Sequence, residues 1–160
     1  MTKEYRVVIP DAKYRIIEFV QEDFPGVGFI NISLQDFEPK AVFAWHLSIM
    51  INLEDMIENG MPSKEERKVI DEFESRLDLL LKSPDVDKPN ALFLARITWN
   101  ETSELMWRIY NPETANQILQ TIIDQNESPR EFDYRMDSDE EWKLAEWVLK
   151  DHKNQSSPEN

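Results

Sequence analysis

Alternating apolar and polar positions predict most of the strands in this chain. The clearest alternation runs through residues 41–53, where the odd-numbered positions from 43 to 51 are all apolar: Phe43, Trp45, Leu47, Ile49 and Ile51. Shorter runs predict strands at 14–21, 27–34, 91–99, 103–110 and 130–136. The residues 23–26 (DFPG) and 100–102 (NET) are typical of turns, so each predicts a hairpin between its neighbouring strands.

Helical spacing with capping signals predicts three helices. Ser63 and Glu66 form a capping-box pattern before residues 64–82, in which Ile70, Phe73, Leu77 and Leu80 recur at helical spacing, and Pro84 ends the segment. Asn111 precedes Pro112 and an apolar stripe from 115 to 123, which predicts a second helix. A second capping-box pattern at Ser138 and Glu141 predicts a final helix over 139–150.

The order of these elements predicts an α+β fold. From residue 41 onward it is strand, helix, strand, strand, helix, strand, the βαββαβ order of a ferredoxin-like core, in which an antiparallel sheet carries two helices on one face. A strand pair precedes this core and a helix follows it. We expect a single domain over residues 1–150 and a disordered tail over 151–160 (DHKNQSSPEN), which has little to bury.

Composition narrows the classes of partner. The 160 residues carry 32 acidic and 18 basic side chains, a net charge of −14, which argues against nucleic acid and anionic membrane surfaces as partners. No apolar run is long enough for a membrane helix and no secretory signal is apparent, so we expect a cytoplasmic protein.

Composition also argues against most catalytic and cofactor chemistry. The chain lacks cysteine and has two histidines, so thiolate chemistry is excluded and a metal site is not expected. With three glycines and no G-x-S-x-G pattern, neither a phosphate-binding loop nor a nucleophile elbow is present. We therefore predict no catalytic residue and no cofactor.

Several short stretches resemble the bacterial family called domain of unknown function 695. They are NGMPSKEE, ARIT, WRIY and EFDYRMDSDEEW, and the matching residues are Gly60, Pro62, Arg96, Thr98, Tyr110, Asp139 and Trp142. Ala95 stands where the family usually has glycine. The resemblance implies an α+β fold and a bacterial source, and it implies no established activity. In architecture and charge, the chain is more distantly similar to the regulator of ribonuclease E activity B, a small acidic inhibitor protein.

A group of polar residues is predicted on the sheet face away from the helices. Its members are His46, Arg96, Thr98, Arg108 and Tyr110, with Arg135 as an addition. Guanidinium groups suit carboxylate and phosphate, so this face could bind an anion. Alternatively, the arginines pair with nearby acids and cover the sheet, and His46 is a hydrogen-bonded structural residue.

Three functional hypotheses follow. The first is a non-catalytic binding or regulatory protein that acts through protein–protein contacts, as a monomer or a homodimer joined through edge strands. The second is an enzyme that uses His46, Arg96, Arg108 and Tyr110 on a small anionic substrate. The third is an acidic mimic of nucleic acid that inhibits a nuclease, since eight acids and one base lie between Ile16 and Pro62.

The two tryptophans near the C-terminus give a testable contrast. Trp142, Ala145 and Leu149 lie at i, i+3 and i+7 and are expected to dock the last segment, whereas Trp147 lies off that stripe. Trp142→Ala should lower the free energy of unfolding by about 3 to 5 kcal/mol, as for other large buried side chains. Thermal or urea denaturation measures this, with Trp147→Ala as the matched control, and an unchanged melting temperature for Trp142→Ala would refute the docking role.

Overall fold

The computed structural model describes residues 7–85 and 87–150, and the predicted tail over 151–160 lies outside them. Six strands are present: β1 (Tyr14–Gln21), β2 (Phe24–Asn31), β3 (Trp45–Asn52), β4 (Ala91–Trp99), β5 (Thr102–Ile109) and β6 (Phe132–Ser138). Three helices accompany them: α1 (Lys64–Lys82), α2 (Pro112–Asp124) and α3 (Glu146–Leu149). Single 3₁₀ turns occupy Ile32–Leu34, Lys40–Phe43, Glu58–Gly60 and Lys143–Ala145.

All six strands form one antiparallel sheet in the order β1-β2-β4-β5-β3-β6. The predicted mixed α+β class is confirmed. The complete order differs from that of a four-stranded ferredoxin-like sheet because β2 and β1 extend the sheet beyond β4. The β1–β2 turn is Glu22-Asp23, both in the left-handed region, so β2 begins earlier than the sequence predicted and contains Pro25 and Gly26.

One face of the sheet, which we call the helix face, packs against α1 and α2. Their inward side chains meet alternate residues of β3 and β5 and form one apolar core: Leu47, Ile49, Ile51, Ile70, Phe73, Leu77, Leu81, Leu105, Trp107, Ile109, Ala115, Leu119 and Ile122. Leu81, rather than the predicted Leu80, completes the inward stripe of α1, and Leu80 is partly exposed. Two amphipathic helices thereby cover the middle of the sheet.

The opposite side, which we call the second face, is covered as well. The 3₁₀ turns before β3 and the segment after β6 close over it and form another core, which contains Ile17, Ile30, Leu34, Phe37, Phe43, Leu92, Leu94, Trp142, Ala145 and Val148. The sheet centre is therefore buried on both sides. The face predicted to carry the polar residues is thus covered at its centre by a second apolar core.

A β-bulge in β4 reverses the sidedness that simple alternation predicts. Phe93 pairs with Trp107 and Ala95 pairs with Met106, so Leu94 is the additional residue. Phe93 lies on the helix face, whereas Leu94 and Ala95 both belong to the second core. Ala95 and Ile97 therefore face away from the helices, although simple alternation from Phe93 would place them on the helix face. Phe43 is also on the second face, because it lies in the turn before β3 and not in the strand.

The segment after β6 differs from the predicted helix over 139–150. Ser138 is the last residue of β6, and the carboxylate of Asp139, not a Ser138–Glu141 capping box, accepts hydrogen bonds from the backbone N–H groups of Lys143 and Leu144. Trp142 adopts a left-handed backbone conformation at φ 60°, and the helix contains only Glu146–Leu149. The docking role holds in its contacts, since Trp142 is only 2% exposed, while Trp147 is 41% exposed.

The first capping box is half confirmed. The Ser63 hydroxyl accepts a hydrogen bond from the Glu66 N–H, as predicted. The Glu66 carboxylate, however, turns to Arg130, which donates from Nε at 2.8 Å and from Nη2 at 2.7 Å, and it also accepts from the backbone N–H of Glu54. The Glu66 carboxylate thereby joins the start of α1 to the residues just after β3, through Glu54, and to the residues just before β6, through Arg130.

The loop that contains Gly60 is fixed against the β4–β5 turn. The Gly60 carbonyl accepts a hydrogen bond from the Glu101 N–H at 2.8 Å, and Gly60 has φ +76°. A Cβ at this position would lie 2.9 Å from the Glu101 nitrogen. Both the backbone conformation and the close approach therefore require glycine here.

Gly60→Ala should lower the free energy of unfolding by about 1 to 3 kcal/mol, because the new Cβ meets the Glu101 backbone in a conformation that disfavours alanine. The neighbouring Asn59→Gly is the matched control, since Asn59 already has φ 65° and should be little affected. Urea denaturation compares the two. Equal stability of Gly60→Ala and the parent protein would contradict the packing of this loop.

Candidate binding cleft

The structure separates the residues that were predicted to share one face. Arg96 and Thr98 lie on the helix face. The extra residue at the Leu94 bulge shifts the alternation by one position, so the even-numbered residues after Ala95 face the helices. His46, Arg108 and Tyr110 lie on the second face, and Arg135 is an exposed residue of β6 near Asp137. The prediction of one shared anion-binding face is therefore wrong.

Arg108 is the centre of a buried polar cluster on the second face. Its side chain is fully buried and uses all its N–H groups. Nη1 lies 3.0 Å from the Asp139 carboxylate and 3.1 Å from His46 Nδ1. Nη2 donates to the backbone carbonyls of Asp139 at 2.6 Å and of Phe43 at 3.2 Å. Nε also donates to the Phe43 carbonyl. The guanidinium also lies 4.6 Å from the centre of the Trp142 ring.

The cluster fixes the protonation states of its members. Burial, reinforced by the neighbouring Arg108 charge, lowers the pKa of His46 to about 4, so the imidazole is neutral and accepts from Arg108 at neutral pH. Burial alone would raise the pKa of Asp139, but hydrogen bonds from the Leu144 N–H, Arg108 and the Lys143 N–H outweigh it and hold that pKa below its usual value. Asp139 is therefore charged and Arg108 has its counterion.

The geometry of the Arg108 cluster indicates a structural role. The N–H groups of Arg108 are already engaged within the protein, and neither Arg108 nor His46 lines the cleft beside α1 or the concavity around Met106. Arg96 is on the other side of the sheet. The four residues of the enzyme hypothesis, His46, Arg96, Arg108 and Tyr110, therefore do not meet in one pocket.

The concave site of the helix face is a cleft of about 700 Å³ beside α1. We call it the Ser103 cleft. Its buried floor contains Leu53, Pro62, Ile70 and Ser103; its half-buried walls are Val27, Phe29, Met61, Arg96 and Thr98; and its exposed rim is Ile16, Ile57, Lys64, Arg67 and Asp71.

The cleft exists because the sheet is wider than its helical cover. β1 and β2 extend beyond β4, and their helix-face side chains remain half-buried or exposed. Val27, Thr98 and Ser103 form one cross-strand row, and Phe29 pairs with Arg96 in the next. The Gly60 loop, held on the β4–β5 turn, closes the far side.

The basic residues of the cleft differ in their ion pairs. Arg96 Nη1 binds Asp71 at 2.7 Å and Glu74 at 2.9 Å, and among the described residues Nε and Nη2 of Arg96 have no partner. Burial raises the pKa of Glu74, and Arg96 opposes this effect. Lys64 and Arg67 form no ion pair within residues 7–85 and 87–150. Within the described part of the chain, the rim therefore carries two cations without an ion pair, in a protein of net charge −14.

The Ser103 hydroxyl is the most informative polar atom of the cleft. The residue is 1% exposed, and in the described part of the chain its Oγ has no hydrogen-bond partner. A buried polar atom without a partner costs about 1 to 3 kcal/mol. A ligand atom in the cleft would satisfy it.

Ser103 and Arg67 were missed as site residues at the sequence level. Ser103 alternates in register with the inward residues Leu105 and Trp107, so an inward polar position was detectable. Its lack of a partner was not detectable, because partners across a sheet depend on tertiary structure. Arg67 looked like any other solvated residue of α1.

Among the described residues, no group of three or more His, Asp or Glu side chains could hold a metal ion. None of the helices described is both long and apolar enough to cross a bilayer.

A family model described as "Family of unknown function (DUF695)" matches residues 18–147. The chain belongs to the DUF695 family. The predicted resemblance is thereby confirmed. No curated protein and no solved structure matches the chain significantly.

The residues that suggested DUF695 fall into two groups in space. Pro62, Arg96 and Thr98 line the Ser103 cleft, and Gly60 holds its bounding loop. The other three, Tyr110, Asp139 and Trp142, surround Arg108 or the adjacent Phe43 ring. In this DUF695 chain, one group of motif residues thus builds the cleft, and the other closes the opposite face.

The pKa of His46 predicts a specific pH dependence of stability. Because this pKa is about 4 in the folded protein and about 6.5 when unfolded, the unfolded chain takes up the proton first as the pH falls. The stabilising effect is complete above pH 6.5 and is lost between about pH 6.5 and 4. Between pH 7 and 5 the contribution of His46 to the free energy of unfolding should fall by about 2 kcal/mol.

His46→Asn keeps an acceptor near Arg108 but does not titrate, so its loss of stability over the same range should be clearly smaller. Urea denaturation at pH 7, 6 and 5 measures the difference. Parallel pH profiles for the two proteins would show that His46 is not the titrating group.

Proposed function

We propose that this protein is a non-catalytic binding module and that the Ser103 cleft is its ligand site. The carrying observation is a buried hydroxyl, without a partner among the described residues, in a largely apolar concavity. A volume of about 700 Å³ falls within the range of small-molecule sites. Apolar walls with a few polar groups are the usual composition of such sites.

The lining favours binding over catalysis. The described lining residues contain no histidine, and the Ser103 hydroxyl has no base within hydrogen-bond distance to activate it. The one carboxylate of the lining, Asp71, is engaged by Arg96. An enzyme at this position would need a general base that these residues do not supply.

A regulatory role through a protein partner, in a bacterial cytoplasm and as a monomer or homodimer, is part of the same proposal. The acidic surface and the edge strands β1 and β6 support it. An acidic mimic of nucleic acid acting on a nuclease is the alternative that the net charge of −14 supports.

We also infer that the core is a ferredoxin-like arrangement extended by two strands. The neighbours β6-β3-β5-β4, their antiparallel pairing and the packing of α1 and α2 on one face support this interpretation.

Binding of the neutral apolar dye Nile red tests the cleft. The native protein should enhance and blue-shift its fluorescence with one saturable site. Thr98→Phe places a ring in the cleft and should weaken binding about tenfold or more. Val20→Phe, an equal ring at a 74% exposed position outside the cleft, is the matched control.

Melting curves would confirm that both variants are folded. Absence of saturable binding to the native protein, or equal weakening by both substitutions, would exclude the Ser103 cleft as the binding site.

A further inference from the structure

The polar lining of the Ser103 cleft is rich in donors. Lys64, Arg67 and Arg96 can only donate hydrogen bonds, and the Ser103 hydroxyl has a proton without an acceptor. The one carboxylate among the lining residues, Asp71, already accepts from Arg96. An occupant that satisfies this lining must therefore bring acceptors.

The charged side chains of the cleft favour a negatively charged occupant. Three cations line the cleft, and two carboxylates, Asp71 and Glu74, bind one of them. The other two cations, Lys64 and Arg67, have no ion pair in the described residues, so a negatively charged group on the occupant is favoured at this rim. Lys64 and Arg67 lie three residues apart on the first turn of α1, so both reach the same side of the rim.

The apolar side chains of the cleft favour a hydrocarbon part in the rest of the occupant. Val27, Phe29, Ile57, Met61 and Ile70 present carbon to the same space. Ile57 and Ile16 remain 63% and 49% exposed in the protein alone, and an apolar body in the cleft would cover them. Apolar walls next to unpaired cations fit a molecule with a hydrocarbon part and an anionic end.

We propose that the Ser103 cleft binds a small amphipathic monocarboxylate. Its hydrocarbon part packs on the apolar walls, and its carboxylate meets Lys64, Arg67 and the N–H groups of Arg96 that have no partner in the described chain. One oxygen of the same carboxylate accepts from the Ser103 hydroxyl. This occupant presupposes the binding role proposed above for the cleft.

Three probes with one hydrocarbon chain and different head groups separate charge from apolar contact: octanoate, 1-octanol and octylammonium. Calorimetry and displacement of Nile red measure their affinities for the full-length protein. Octanoate should bind one site at least about tenfold more tightly than 1-octanol, and octylammonium should bind least. Added salt should weaken octanoate and leave 1-octanol unchanged.

Charge variants locate the head group. The double variant Lys64→Gln, Arg67→Gln should weaken octanoate about tenfold and change 1-octanol by less than about twofold. Lys68→Gln, an exposed neighbour on α1 that does not line the cleft, is the matched control and should bind like the parent protein.

Ser103→Ala separates a binding role from a structural one. Because the hydroxyl has no protein partner, its removal should leave the melting temperature unchanged or raise it, while the affinity for octanoate falls. A lower melting temperature with unchanged affinity would assign Ser103 to the fold instead.

The proposal of a monocarboxylate ligand would be overturned if 1-octanol or octylammonium bound as tightly as octanoate or more tightly. Unchanged octanoate binding in the double variant would overturn it as well. If Nile red still binds in that case, the cleft remains a binding site for another class of ligand. If neither Nile red nor octanoate binds, both proposals fail.

Discussion

The Arg108 guanidinium is fully buried, and its N–H groups reach three separate parts of the chain. A buried cation is tolerated only when it is paired and fully hydrogen-bonded. Arg108 meets that condition by holding the turn at Phe43, the β3 residue His46 and the post-β6 residue Asp139 together. Because each of these partners is distant in sequence, the cation imposes one tertiary arrangement on the second face.

That constraint bears on the position of the Ser103 cleft, which lies on the opposite face. On the second face, Trp142 and its neighbours cover the part of the sheet that holds Arg108 and His46, and both side chains are buried. The helix face is closed over β3 and β5 by α1 and α2, but β1 and β2 extend beyond this cover. The Ser103 cleft is the space left between the added strands, α1 and the Gly60 loop. The family residues follow the same division, since one group lines the cleft and the other surrounds the buried cation.

Much of the fold followed from local pattern. The alternation through β3, the stripe of α2 with Asn111 and Pro112, and the β4–β5 hairpin all appear as predicted, because periodicity and turn chemistry act between near neighbours. The prediction failed where a side chain binds a distant residue. Glu66 binds Arg130 instead of completing its capping box. Asp139, the neighbour of the predicted Ser138, caps the last segment and also pairs with the distant Arg108.

The candidate site was less accessible to sequence reasoning than the fold. Arg96 and Thr98 were identified as residues of interest, but they were assigned to the face of His46 and Arg108 because nothing in the sequence 91–99 marks Leu94 as a bulge. By itself, the sequence determined the elements, their order, the family and the acidic charge. Tertiary structure alone decided which face each side chain occupies and which buried polar groups find partners. The physical reason is that a one-residue shift in strand register inverts the faces, and a hydrogen-bond partner across the sheet is set by that register and not by the neighbouring sequence.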